Sequence, residues 1–258
     1  GRTRRKFYLI QDFEPMFYPA GTVYALAEQT YRMGLYGIAS GPTLKEMYER
    51  DYGGKAIHYN ACVDTSLFHS GEVDQESSDQ FTVFLFGRPG HWRSCYELAI
   101  AALKRLKEHW QGRLHIITAG SWANASDPVS ASMLDNLGLL DYEATPDLYR
   151  RCDVGLVLTM SKNPSYVTLE MMACGTLLVS NYNPAASWLL RDGENCLLAE
   201  PTAESLYQAL ERGVLDRQLR KRLTAQAVAD IKERHSDWEP EIEKVYQYLC
   251  DPDGLLRT

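Results

Sequence analysis

Ser161-Lys162-Asn163-Pro164-Ser165-Tyr166-Val167-Thr168-Leu169-Glu170-Met171-Met172-Ala173-Cys174-Gly175, followed by the apolar run Thr176–Val179, decides how this chain is read. A strand ending in Val157-Leu158 leads into a short polar loop, and a helix opens near Tyr166 with Glu170 in its second turn. That layout aims backbone N–H groups and the positive end of a helix at one point, where an anion such as a diphosphate is well held. Glu170 projects from the same end and is placed to accept a hydrogen bond from a ribose hydroxyl.

The sequence around this stretch is regular. Phe81–Phe86 reads as a continuous apolar strand, and Ser94–His109 as a helix with Tyr96, Ala99, Leu103 and Leu106 on one face. Leu114–Ala119, Asp153–Thr159, Thr176–Ser180 and a short Cys196–Ala199 read as further strands, with helices over Asp147–Arg151 and Tyr166–Cys174. Strands that are apolar throughout and alternate with helices predict an α/β fold, a doubly wound parallel sheet covered on both faces. Such a sheet binds its ligand outside the carboxyl ends of its strands. The loops Gly87–Arg93, Gly120–Ala125 and Ser161–Ser165 fall there. Gly87 permits a close backbone approach, and Arg88 and Arg93 set two permanent cations at the end of the first strand of this region. Two guanidinium groups suit a diphosphate, which they grip in forked geometry while neutralising charge on the leaving group.

The first sixty residues differ in character, holding eight of the sixteen tyrosines. Strands are predicted at Phe7–Ile10, Tyr36–Ser40 and Lys55–Tyr59, with an amphipathic segment from Thr22 to Met33. Pro42 opens a helix that runs to about Tyr52 and is broken by Gly53-Gly54. A polar, acidic linker covers Ser70–Gln80. Toward the end Thr202 is placed as a helix N-cap, a charged helix runs from about Asp216 to Arg234, and Pro240–Leu249 forms a last helix. Ile242, Val245, Tyr246 and Leu249 lie on one side of it, expected to pack. No internal repeat is visible.

Composition narrows the function classes. With 258 residues and 45% hydrophobic content the chain is long enough for one large or two modest domains. A net charge of −7 argues against a nucleic-acid binder driven by overall electrostatics, and Arg2–Lys6, Lys104–Lys107 and Arg217–Arg222 read as solvated faces or tails. No apolar run approaches a membrane span. The six cysteines lack C-x-x-C spacing and read as reduced, buried thiols, which fits a cytoplasmic protein. The six histidines show no metal-ligand spacing, so neither a metal site nor a cofactor is expected. No signal peptide is visible. The opening Gly-Arg-Thr-Arg-Arg enters a strand at once, as a piece of a longer polypeptide would.

The Glu170 stretch resembles the nucleotide-sugar loop of retaining family 4 glycosyltransferases, in which Glu, seven residues and Glu precede a Met-Ala-Cys-Gly-like tetrad. Glu170 matches the second Glu, whereas the first falls on Lys162. The Gly87-Arg88 loop is similar to that family's Gly-Arg loop, whose Lys five residues after the Arg becomes Arg93. Asn60-Ala61-Cys62-Val63-Asp64 through Phe68 resembles the hinge between its two domains. Leu189 through Leu198 resembles the turn after its nucleotide site, which also reads as a plain structural turn. The matches cover roughly residues 37–235, and the Gln11–Pro19 opening is similar to a rhamnosyltransferase branch that builds bacterial surface glycans from dTDP-L-rhamnose.

This resemblance implies a GT-B enzyme of two Rossmann-like domains, with the donor on the C-terminal one. Residues 1–60 would be the end of the N-terminal, acceptor domain and 61–235 the nucleotide-sugar-binding domain. Residues 236–258 would be a helix crossing back to the first. Arg88, Arg93 and the amides of Ser165, Tyr166 and Val167 would hold the donor diphosphate. Glu170 would take the ribose, and Gly120, Ser121 and Tyr142 the base. Lys162 and Asn163 are candidates for the donor sugar, and Lys162 either alters sugar preference or points to solvent. Asp12 and Glu14 either face an acceptor sugar or serve capping and turn formation. No residue is assignable as a catalytic base. The implied partners are a dTDP- or UDP-sugar donor and a glycan or lipid-linked glycan acceptor. The implied location is the cytoplasm or the inner face of the membrane, with peripheral association there. A non-catalytic nucleotide-sugar-binding or scaffold module of a polysaccharide-assembly protein is the second reading. A nucleotide-sugar epimerase is the third, with His91 the principal acid or base on offer.

Overall fold

The computed structural model describes residues 5–71, 80–90, 92–120 and 132–255. Along the chain its main elements are β1 (Phe7–Ile10), α1 (Thr22–Gln29), β2 (Tyr36–Ser40), α2 (Pro42–Tyr52), β3 (Lys55–Tyr59), β4 (Phe81–Phe86) and α3 (Tyr96–Trp110). There follow β5 (Leu114–Thr118), β6 (Asp135–Asn136), α4 (Thr145–Arg150), β7 (Val154–Val157), α5 (Tyr166–Ala173) and β8 (Leu177–Asn181). The chain ends with β9 (Leu197–Ala199), α6 (Ala203–Leu215), α7 (Arg217–Arg234), α8 (Glu239–Cys250) and α9 (Pro252–Leu255). These form two compact units, one of Gly1–Cys62, Ser161–Pro164 and Arg234–Thr258, the other of Val63–Met160 and Ser165–Glu233.

The first unit is built on a three-stranded parallel sheet in the order β1-β2-β3. Its core is aromatic: Tyr31 and Tyr48 are almost wholly buried and their rings meet at 6.1 Å, edge to face. Gly53, at φ 63°, closes α2 in the left-handed conformation that favours glycine, and its N–H donates to Glu49 O at 3.1 Å. On α8 the buried face is not the one expected. Tyr248 is fully enclosed, its hydroxyl donating to Lys55 O at 3.1 Å, whereas Ile242, Tyr246 and Leu249 are exposed. The reason is geometric, since the helix can turn only one stripe toward β3, and Tyr248 fills that space with its ring against Phe7 and Tyr36.

The second unit is a six-stranded sheet in the order β6-β5-β4-β7-β8-β9, parallel in every ladder. The α/β class predicted from uninterrupted apolar strands is the one observed. Val83, Leu85, Ile116, Leu156 and Val179, at most 1% exposed, form the centre of a core closed by α3 and α6. Thr202 caps α6 by accepting from Ser205 N at 3.1 Å. Helix α5 is buried from Thr168 to Ala173, and its residues there are apolar apart from Thr168 and Glu170.

All six cysteines are free thiols. Cys62, Cys152, Cys174 and Cys196 are buried, but Cys95 is half-buried and Cys250, on the last turn of α8, is exposed, which corrects the uniform expectation. Among the described residues no helix is long and apolar enough to cross a membrane, and no group of three or more His, Cys, Asp or Glu is placed to hold a metal ion.

Candidate functional site

Strand order decides where the second unit binds. From β4 the chain winds outward through β5 and β6, then returns to lay β7 on the other side of β4 and winds outward again through β8 and β9. The reversal between β4 and β7 makes their carboxyl ends the switch point, the place where doubly wound sheets take ligands. Phe86 of β4 pairs with Val157 of β7, so the loops that follow them start side by side. They are then tied together, because Met160 N donates to Arg93 O at 2.9 Å. Arg88 is exposed and has no ion-pair partner among the described residues, while Arg93 is half-buried. A Cβ built on Gly87 would make only ordinary contact with Tyr96, at 3.7 Å, so packing alone does not demand glycine there.

The stretch after β7 is rigid. Asn181, 2% exposed at the end of β8, accepts from Thr159 N at 2.9 Å and donates to Thr159 O at 3.0 Å. Asn183 Nδ2 adds a second bond to the same carbonyl. Ser165, in extended conformation, is the N-cap residue of α5, and Thr168 N donates back to Ser165 O at 3.0 Å. Tyr166 and Val167 open α5, so their amides lie at the positive end of the helix dipole.

Glu170 is the electrostatic centre of this unit. It is 7% exposed, and burial pushes its carboxyl above the usual value, with two phenols opposing the shift. Tyr142 OH lies 3.4 Å from Oε1 and Tyr149 OH 3.4 Å from Oε2. Both phenols are themselves pushed up, first by burial and then by the Glu170 charge. Phe68 packs edge-on to Tyr142 at 5.2 Å and stacks over Tyr149, so the carboxylate sits among aromatic rings. Of the residues expected at the ribose and base, the structure therefore brings Glu170 and Tyr142 together. Tyr149 was not expected. On α4 it reads as a core aromatic, and its hydroxyl's reach to Glu170 depends on tertiary packing that carries no local pattern.

Gly120 follows β5, with its N–H donating to Gly138 O at 2.8 Å, which fixes the start of the expected base-binding turn. Ser121 and His91, also expected near the ligand, lie outside the described residues, as does 72–79 of the acidic linker.

The remaining candidates belong to the first unit. Asp12 Oδ1 accepts from Phe13 N at 2.8 Å and from Lys162 N at 3.3 Å. Glu14 accepts from the hydroxyls of Tyr31 and Tyr8. Asn163 Nδ2 donates to Gln11 O at 3.1 Å and to Ser40 Oγ at 3.3 Å. Lys162 is exposed, and after Arg50 it helps hold the Asp51 carboxyl below its usual value.

Comparison with known proteins matches residues 81–211, about half of the chain, to the model of the WsaF C-terminal domain. The chain belongs to the WsaF family. Residues 1–40 match the WsaF N-terminal domain. The chain is 40% identical over 251 residues to the O-antigen biosynthesis protein RfbC of Myxococcus xanthus, covering 97% of this chain and 19% of that protein. It thus spans about a fifth of the relative's length. Among solved structures, sucrose-phosphate synthase of Thermosynechococcus elongatus superposes with a TM-score of 0.75 at 16% identity, covering 96% of this chain and 68% of that one. Anabaena HepE in complex with UDP-glucose gives 0.74 at 18%, covering 96% and 72%. This WsaF-family chain therefore has the GT-B glycosyltransferase fold.

Proposed function

We propose that the chain is the nucleotide-sugar-binding part of a glycosyltransferase that works in bacterial surface polysaccharide synthesis. The observation that carries this is Glu170, a carboxylate held among phenols on the helix that opens at the switch point. Membership of the WsaF family, the name of the O-antigen relative and the UDP-glucose bound by HepE support the same reading.

Arg88 and Arg93 neutralise the donor diphosphate, and the amides of Ser165, Tyr166 and Val167 cap it at the amino end of α5. Glu170 accepts from the ribose, through its 3′-hydroxyl in a deoxythymidine nucleotide, while Gly120, Ser121 and Tyr142 border the base. The nucleotide is UDP or dTDP, and rhamnose is our candidate sugar, transferred with retention by leaving-group stabilisation and donor geometry. Lys162 and Asn163 are the candidates for sugar contact and Asp12 and Glu14 for the acceptor glycan. No metal or cofactor takes part. The site of action is the cytoplasm, at the membrane's inner face for a lipid-linked acceptor.

One observation favours the second reading, a binding module without catalysis. Asn163, Asp12 and Glu14 already bond within their own unit, which leaves fewer groups for sugars. Titration calorimetry with UDP, dTDP and their sugars, followed by labelled sugar transfer with the full-length parent protein, separates the two. Nucleotide binding without transfer selects the module, and no binding at millimolar nucleotide defeats both.

A further inference from the structure

Two phenols reach Glu170, and the ring of Phe68 touches both of them. Tyr142 stands in a short turn over Tyr142–Ala144 and Tyr149 on α4, and their hydroxyls lie 3.4 Å from the two carboxylate oxygens. Bonds of that length are weak and sensitive to angle, so they do not fix the rings that make them. Phe68 meets Tyr142 edge-on at 5.2 Å and stacks over Tyr149 at 6.4 Å. Tyr149 is buried and has a second support in Phe84. Tyr142 is 53% exposed, and among the described residues Phe68 is the one aromatic ring against it.

Phe68 is itself set by its backbone. The chain enters the second unit at Val63 and turns at Asp64, whose carbonyl accepts from Leu67 N at 3.2 Å and from Phe68 N at 2.8 Å. Asp64 Oδ1 closes the same turn by accepting from Ser66 N at 2.9 Å. Just beyond, His69 O accepts from Arg150 Nη1 at 3.1 Å, which bonds this segment to the helix that carries Tyr149. Phe68 is fully buried, yet it borders a cavity of about 290 Å³ shared with Ala173, Val228 and Ile231. A ring that served only to fill space would take up such a void, whereas this one stays against the phenols.

We propose that Phe68 is a positioning residue for the ribose: it aims the Tyr142 phenol at Glu170 and so holds the carboxylate in the orientation that accepts a sugar hydroxyl. The proposal rests on the nucleotide-sugar reading above and adds the element that orients its ribose contact. A carboxylate offers about four acceptor positions, and the two phenols occupy one on each oxygen. Held at both oxygens, the group does not turn about its last bond, and its remaining lone pairs keep a fixed direction. Without the flat face of Phe68 the half-exposed Tyr142 swings toward water, one oxygen loses its donor, and the carboxylate rotates. The diphosphate contacts lie elsewhere and are not disturbed.

The test is calorimetric binding of dTDP, of 2′,3′-dideoxythymidine diphosphate and of inorganic pyrophosphate to the wild-type chain, to Phe68→Met, to Tyr142→Phe and to the double variant. The two nucleotides differ by the 3′-hydroxyl alone, so their affinity ratio reads the ribose contact. In the wild type that ratio is expected to be about tenfold or more. Phe68→Met roughly keeps the volume without the flat face and is expected to bring the ratio down to about twofold, with pyrophosphate affinity unchanged. Tyr142→Phe is expected to lower it about as far, and the double variant no further than either, because both changes act on one bond. A Phe68→Met chain that melts earlier yet keeps the wild-type ratio has lost only packing, and the proposal falls. Effects that add in the double variant overturn it too. So does a Tyr142→Phe chain with the wild-type ratio, which leaves Phe68 nothing to act through even where Phe68→Met fails to fold. A wild type that binds both nucleotides alike overturns it with the nucleotide reading intact, and one that binds neither removes that reading as well.

Discussion

The Tyr149 hydroxyl lies 3.4 Å from Glu170 Oε2 and donates to it inside the second unit, where Phe68 stacks on one side of Tyr149 and Phe84 packs edge-on at 5.4 Å. A carboxylate in such surroundings is poorly solvated, and the two long phenol bonds only partly replace water. A fold selected for stability alone gains by an apolar or neutral side chain here. Keeping Glu170 therefore makes sense where the charge faces a ligand's hydroxyls, and the cost it imposes on the fold can be measured.

Glu170→Gln should stabilise the protein at neutral pH. The ordinary carboxyl titrates near 4.5, and burial raises Glu170 above that in the folded protein. Below the ordinary value both states hold the proton and nothing is lost. As pH rises past it the unfolded chain releases its proton first, so stability falls until the folded value is passed. The expected gain is about 1 kcal/mol, or ~3 °C in Tm, at pH 7, shrinking to nothing near pH 4. Melting curves across that range check it, and a variant less stable at pH 7 than at pH 4, relative to wild type, contradicts the burial argument. The same substitution should weaken UDP and dTDP.

Arg88→Ala separates binding from folding. Arg88 is exposed and holds no ion pair among the described residues, so its loss should change stability by less than about 0.5 kcal/mol. Nucleoside-diphosphate affinity should fall by about a hundredfold, and Arg88→Lys should recover part of it, because the charge returns without the fork. Calorimetry beside a melting curve gives both numbers. An unchanged dissociation constant removes Arg88 from the diphosphate site.

Legibility differed between elements for physical reasons. Phe81–Phe86 and Leu177–Asn181 show in the sequence because a strand buried on both faces must be apolar throughout. Asp135–Asn136 does not show, since two polar residues become a strand only by pairing with β5. The stripe on α8 misled because Ile242, Val245, Tyr246 and Leu249 share a face in periodicity, yet burial went to Tyr248. Arg88, Arg93 and Glu170 were visible as residues at strand ends and a helix start. Tyr149 was not, because its bond to Glu170 joins α4 to α5 through tertiary packing.

Asn181 tests the rigidity of the loop after β7. Asn181→Ala leaves Thr159 N–H without its acceptor in a buried setting and should cost about 2 kcal/mol. Asn181→Asp keeps that acceptor but sets a carboxylate against the carbonyls of Thr159 and Tyr182. It should therefore be the worse variant at pH 7 and recover toward the alanine variant near pH 4. Urea denaturation at the two pH values decides this. Equal cost at both means the carboxylate finds water and the clasp is not buried.

Two glycines offer a contrast in what yields to a methyl group. A Cβ on Gly54 would lie 2.2 Å from Cε1 of Tyr48, and on Gly155 2.0 Å from Cε of Met171. Both neighbours are fully buried, but only one can move. The Tyr48 ring is pinned by its hydroxyl bond to Leu35 O at 2.8 Å and by the rings of Tyr31 and Tyr52. Met171 meets the methyl with the free end of a flexible thioether that repacks through rotation about its own bonds. Gly54→Ala should accordingly cost about 3 kcal/mol and Gly155→Ala about 1 kcal/mol. The substitutions lie in different units, so hydrogen exchange of β2 amides for the first and β7 amides for the second reads each locally. Should Gly155→Ala prove the more damaging, the α5 interface is stiffer than a methionine contact allows.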